Sequence, residues 1–153
     1  MNIYIITHGE KGHGTNPGLT EAGRRQIETL PVPNGITQVI VGTGKRFSDT
    51  LAIVKNRVGN VPVKFSPLCG SADSGEKSET GFKVALADGT NVEVGDYIGL
   101  IGTPGIDLTA WLGSLADNTL LCAGREFLGG IGYKNGAPGC LYRYDGMEVT
   151  QVA

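Results

Sequence analysis

The sequence predicts an α/β domain built on a largely parallel sheet. Two apolar runs, Ile3-Tyr4-Ile5-Ile6 and Gln38-Val39-Ile40-Val41, each lead through a loop into a stretch of helical period, and a third strand-like run follows at Pro62–Phe65. That β-loop-α-β-loop-α-β rhythm is how parallel strands are joined, because the crossover that returns the chain to the same end of a sheet is usually a helix. With 153 residues the chain fits one domain, 1–153, with a single sizeable core and neither an internal repeat nor a linker.

Each element has its own signal. The unbroken apolar run Ile3–Ile6 marks a strand buried on both faces, and it breaks into a polar, glycine-rich loop from Thr7 to Gly18. Thr20 is placed as an N-cap, with Glu21 in the first turn and Gly23, Ile27 and Leu30 along one helical face; Pro31 and Pro33 stop that helix. After the second strand, Phe47, Leu51, Val54 and Val58 fall on one stripe of an amphipathic helix, and Gly59 ends it. Cys69–Thr80 reads as an exposed polar loop. Asp88-Gly89 between Phe82–Ala87 and Asn91–Val94 predicts a hairpin. Thr103-Pro104 opens a third helix carrying Leu108, Trp111, Leu112 and Leu115, and Thr119–Cys122 is a further buried strand. Cys140–Tyr144, Asp145-Gly146 and Glu148–Val152 read as a terminal hairpin.

Composition narrows the function classes. A hydrophobic share of 40% with 18% charged residues suits a globular core and argues against disorder. The net charge of −2 gives no footprint for nucleic acid or an anionic membrane, no apolar run reaches the length of a membrane span, and the start lacks the basic region of a signal peptide. Cys69, Cys122 and Cys140 are far apart, with no C-x-x-C pair, so no structural metal site is expected; an odd count suits reduced thiols and a cytoplasmic location. Cys122, inside an apolar run, is read as a small buried hydrophobe. The 25 glycines are scattered, which implies many tight turns.

Chemistry concentrates where two strands empty into loops: Thr7-His8-Gly9-Glu10 after the first and Gly42-Thr43-Gly44-Lys45-Arg46 after the second. Ligands of open α/β sheets bind outside the carboxyl ends of the strands, so His8 and Arg46 can face one crevice. On spacing alone two readings stay open: an anion or phosphate site, or a turn-capping histidine beside a solvated arginine. Gly42-x-Gly44-Lys45 is not a phosphate-binding P-loop, since Val39 stands where its first glycine belongs and Arg46 where its Ser/Thr belongs.

The opening of the chain resembles the histidine phosphatase superfamily, the phosphoglycerate-mutase-like proteins, in its short form typified by bacterial phosphohistidine phosphatases. That family has a buried strand, Arg-His-Gly-Glu, a loop, and Leu-Thr-x-x-Gly-x-x-Gln. This chain has Thr7-His8-Gly9-Glu10 and Leu19-Thr20-Glu21-Ala22-Gly23-Arg24-Arg25-Gln26. The family's Ser-Ser-Pro-x-x-Arg-Ala-x-Gln-Thr block is matched by the stretch Val41–Thr50, which keeps Arg46 and Thr50. The resemblance implies a three-layer α/β/α sandwich with the first, second and fourth buried strands central. It also implies His8 as a nucleophile attacking phosphorus, Arg46 with Thr7 and Gly9 around the phosphoryl oxygens, Asn16 as a further contact, and Glu76 or Glu79 as proton donor. No cofactor or metal belongs to that mechanism, and the ligand class is a small phosphorylated molecule or a phosphoprotein.

Two departures bear on activity. The family's first arginine is Thr7, whose hydroxyl supplies neither charge nor a bidentate fork. The family's second histidine follows the strand Thr119–Cys122, where this chain has Ala123 and Gly124, with Arg125 directly after as a substitute cation. Each lost charge-assisted contact is worth roughly 1.5–3 kcal/mol. Two together amount to a slowdown of about 10² to 10⁴-fold or more. The sequence therefore points to a degenerate member that binds a phosphorylated or anionic ligand. The alternatives are an active phosphatase in which Arg125, Lys11, Lys45 or Arg24 replaces the lost charges, and an unrelated α/β binding domain. The glycine-rich stretch 124–139 is a poor helix former, so the helix expected there is eroded.

Overall fold

The computed structural model describes residues 1–14, 16–66, 68–70 and 107–153, and the backbone of 82–85 and 91–94. Six strands form one sheet: β1 (Ile3–Thr7), β2 (Gln38–Val41), β3 (Val63–Phe65), β6 (Thr119–Ala123), β7 (Leu141–Tyr144) and β8 (Val149–Gln151), in the order β3-β2-β6-β1-β7-β8. β1, β6, β2 and β3 are parallel, with Ile3 opposite Thr119 and Gln38 opposite Thr119 on the other side. β7 runs antiparallel to β1, and β8 antiparallel to β7. The first, second and fourth buried strands are thus central, as expected. β4 (Phe82–Ala85) and β5 (Asn91–Val94) pair antiparallel, with Phe82 opposite Val94; the Asp88-Gly89 turn expected between them lies outside the described residues.

The sheet is apolar on both faces because each central strand alternates between two cores. On one face Ile3, Ile5, Leu121 and Ala123 pack with Leu108, Trp111 and Leu112 of α3 (Leu108–Gly113) and Phe127 and Leu128 of α4 (Arg125–Gly130). On the other, Ile6, Val39, Val41, Leu120 and Cys122 pack with Ile27 of α1 (Glu21–Glu28) and Phe47 and Val54 of α2 (Lys45–Val58). This is the α/β/α sandwich. α3 starts at Leu108, capped by the Asp107 carboxylate accepting the Ala110 N–H at 3.0 Å; the Thr103-Pro104 start lies outside the described residues. The erosion expected of the helix after β6 is partial: α4 forms, but with only six residues.

Caps tie the layers together. The Thr20 hydroxyl accepts the Gly23 N–H at 3.1 Å, and Arg57 of α2 donates to the Leu30 carbonyl and, at 3.4 Å, to that of Ile27, closing the far end of α1. α2 begins at Gly44, which has no side chain to cap it, and Asn16 from the first loop accepts the Lys45 N–H at 2.8 Å instead. Among the described residues no helix is long and apolar enough to cross a membrane.

Candidate functional site

His8 follows β1 directly, at the carboxyl end of the parallel strands. Its N–H donates to the Ala123 carbonyl at the end of β6 (3.2 Å), and its carbonyl accepts the Gly139 N–H (3.0 Å). Two residues on, the Glu10 N–H donates to the Gln26 side-chain oxygen of α1 at 2.8 Å. Residues 8–10 are therefore held from β6, from the loop before β7, and from α1. Contact with α1 is so close that only glycine fits. A Cβ on Gly9 would lie 2.3 Å from the Gly23 carbonyl oxygen, and one on Gly23 would lie 2.1 Å from that of Glu10.

The imidazole is oriented as well as placed. His8 Nδ1 lies 2.8 Å from the Gly9 carbonyl oxygen, an acceptor only, so Nδ1 carries the proton and Nε2 keeps its lone pair. Burial is the main cause holding the ring below the ordinary imidazole range, partly offset by the bond to Gly9. The positive charges of Arg46 and Lys11 push the same way, and Glu126 opposes them. The outcome is a neutral ring near pH 7 whose Nε2 keeps its lone pair, the form a phosphoryl-accepting nucleophile needs.

Arg46 comes to the same place. Its side chain is buried, at 2% exposure, and its guanidinium carbon sits 4.3 Å from the centre of the Phe47 ring. His8 meets that ring edge-to-face, with centroids 5.4 Å apart. The ring packs directly on two glycines: a Cβ on Gly70 would come within 2.3 Å of it and one on Gly42 within 2.6 Å. Phe47 thus carries a cation on one contact and the imidazole on another. Its helical spacing marks it only as core.

The remaining candidates are placed differently. Thr7 is fully buried, and its hydroxyl points into the loop before β7, donating to the Ala137 carbonyl at 2.6 Å and accepting the Cys140 N–H at 3.0 Å. The one hydrogen of the hydroxyl is thus engaged by the loop before β7. Gly9 meets the imidazole through its carbonyl. The Asn16 carbonyl oxygen caps α2, so Asn16 organises the first loop against Arg46's helix. Arg125 opens α4, exposed, and the charge of its neighbour Glu126 acts on His8. Arg24 is taken up by Asp49 at 3.7 Å, and Asp49 also accepts the Leu19 N–H. Glu76 and Glu79 lie outside the described residues. Among the described residues no cluster of three metal-ligating side chains occurs.

Burial pushes the Cys122 thiol up to about 12 and that of Cys69 higher still, so both behave as apolar core.

No protein-family model matches the chain, and no curated protein matches it. Solved structures do. The TTHB049 protein of Thermus thermophilus aligns over 100% of this chain and 99% of its own, with a TM-score of 0.63 at 14% identity. A phosphoglycerate mutase of Thermus thermophilus does so over the same shares with a TM-score of 0.62, also at 14% identity. The protein histidine phosphatase SixA, complexed with tungstate, aligns over 99% of this chain and 94% of its own, with a TM-score of 0.54 at 15% identity. The chain therefore shares the phosphoglycerate-mutase-like fold of these structures.

Proposed function

We propose that this chain is an attenuated histidine-phosphatase-like domain, binding a phosphorylated small molecule or phosphoprotein against His8 and Arg46 and turning it over poorly if at all. The observation that carries the reading is the pairing of a neutral His8, whose Nε2 keeps its lone pair, with buried Arg46 on one Phe47 ring at the carboxyl end of the parallel sheet. The nucleophile's frame is intact. What is reduced is the fixed positive charge that would meet the phosphoryl oxygens in the transition state, because Thr7 supplies none and β6 ends in Ala123-Gly124. The likeness of fold to SixA and to a phosphoglycerate mutase supports this placement of the ligand.

A second reading, an active phosphomonoesterase or phosphohistidine phosphatase, is favoured by one observation: Lys11 is an exposed cation whose charge acts on His8. Turnover of a phosphomonoester panel at high enzyme concentration, with His8→Ala as control, separates the two. Activity lost in His8→Ala, at a rate within about 10-fold of ordinary phosphatases, refutes attenuation. Residual activity about 10² to 10⁴-fold lower, still dependent on His8, is the expected result. Orthophosphate that perturbs neither His8 nor Arg46 removes the phosphate reading altogether.

A further inference from the structure

Thr7 stands where the resembling family carries a phosphate-binding arginine, yet its surroundings give it another task. The hydroxyl joins β1 to a loop 130 residues away: it donates to the Ala137 carbonyl (2.6 Å) and accepts the Cys140 N–H (3.0 Å), while the Thr7 N–H donates to the Cys140 carbonyl (3.0 Å). Tyr142, on the neighbouring strand β7, reinforces the same loop, its hydroxyl accepting the Ala137 N–H at 2.8 Å and lying 3.4 Å from the Ala137 carbonyl. Between these two anchors Gly139 donates its N–H to the His8 carbonyl, in a left-handed conformation (φ 66°) and pressed against Gln26, where a Cβ would come within 2.8 Å.

We infer that Thr7 is a positioning residue: with Tyr142 it clips the 137–140 loop against the His8 backbone and makes that loop the wall of the histidine's pocket. The wall matters because the imidazole hangs on the backbone it braces, through the His8 Nδ1–Gly9 carbonyl bond. Charge at this position and the clip exclude one another, since an arginine side chain has no hydroxyl to make these two bonds.

The inference rests on the reading of His8 as the group that meets the ligand, but its test needs no ligand. The full chain has only two histidines, so NMR titration follows the ring resonances of His8 with exposed His13 as internal control. The groups facing His8 are Lys11 from the first loop, Arg46 from α2, Glu126 from α4 and, beside the clip, Cys140 and Tyr142; none is altered by the Thr7 variants. Thr7→Val keeps the shape and removes the hydroxyl. It should admit water to the ring and raise the His8 midpoint toward its ordinary value of about 6.5, leaving His13 unmoved. Thr7→Ser should titrate as wild type. Tyr142→Phe should move His8 in the same direction as Thr7→Val, and it decides the matter if Thr7→Val does not fold. A folded Thr7→Val or Tyr142→Phe whose His8 midpoint equals the wild-type value, or a Thr7→Ser that shifts as far as Thr7→Val, overturns the inference. If the midpoint moves as expected while orthophosphate leaves His8 unperturbed in every protein, the clip stands and the phosphate reading falls.

Discussion

Gly23→Ala sets two effects of known size against each other. Gly23 lies inside α1, and alanine there gains about 0.8–1 kcal/mol of helix propensity over glycine. On an isolated helix the substitution stabilises. In this fold the new Cβ would stand 2.1 Å from the Glu10 carbonyl oxygen and 2.8 Å from the Glu10 nitrogen, both backbone atoms. Relief needs roughly an ångström of movement between a helix and the 8–10 backbone, since carbon contacts are attractive only near 3.5 Å. The backbone cannot yield freely, because Ala123, Gly139 and Gln26 hold residues 8–10 from three sides. Overpacking of this kind costs about 1–3 kcal/mol or more, so the net expectation is a loss of about 1–2 kcal/mol. Urea unfolding should read that loss directly, and thermal unfolding as a drop of about 2–8 °C for a chain of this length. A Gly23→Ala protein as stable as wild type, or more so, would mean that helix α1 and the His8 loop are not in backbone contact, and the account of the site's frame would fail with it.

Other expectations follow from single contacts. Arg57→Ala removes two donors to the carbonyls that end α1 and should lower stability by about 1–2 kcal/mol in urea, with Arg57→Lys recovering only part. His8 is held below its ordinary range in the fold. Its neutral form therefore contributes stability that is full above a pH of about 6.5 and is lost as pH falls through the depressed folded value; His8→Gln should flatten that slope in unfolding measured across pH 4–8, a range of about four units. Glu126→Gln should lower the His8 midpoint further and Lys11→Gln raise it, as NMR titration would record; the reverse signs would show that neither side chain faces the ring. A thiol reagent should label half-buried Cys140 in the native protein and reach Cys69 and Cys122 only on unfolding.

Much of the fold is legible in the sequence because it is written in local pattern. Ile3–Ile6 and Thr119–Cys122 read as buried strands since both of their faces meet helices, and the stripe from Phe47 to Val58 ends at Gly59, which takes φ 88°. Thr20 caps the helix its spacing announces. What escapes is what depends on contacts distant in sequence. The Thr7 hydroxyl meets Ala137, and nothing local to either residue announces it. Phe47 is visible as core, but its service to both His8 and Arg46 needs Gly42 and Gly70 to press on the ring from two loops. Arg125 stands out over Glu126 in the sequence because charge type is the only guide there, while the direction of each side chain is set by the fold. The small residues near 136–139 have no explanation in local pattern. In the fold, a Cβ on Gly136 would meet Leu128 at 2.9 Å, and Gly139 is squeezed between Gln26 and the His8 carbonyl.

The balance of what is kept and what is lost at His8 bears on which kinetic step suffers. Orientation and tautomer come from backbone contacts, the Ala123, Gly139 and Gly9 bonds, and the neutral form comes chiefly from burial. Stabilisation of the charge that develops on a phosphoryl group comes from fixed cations. Among the described residues the buried one is Arg46, while Lys11 is exposed and its field is screened by water. A ground-state phosphate already carries negative charge, so a single buried cation supports binding. The transition state draws its extra stabilisation from the cations beyond it, and those contacts lower the barrier without tightening the ground state. On the proposed reading the deficit therefore falls on kcat more than on ligand affinity. An added cation that reaches the phosphoryl oxygens should raise kcat with little change in KM, whereas one that reaches only the rim should change KM alone.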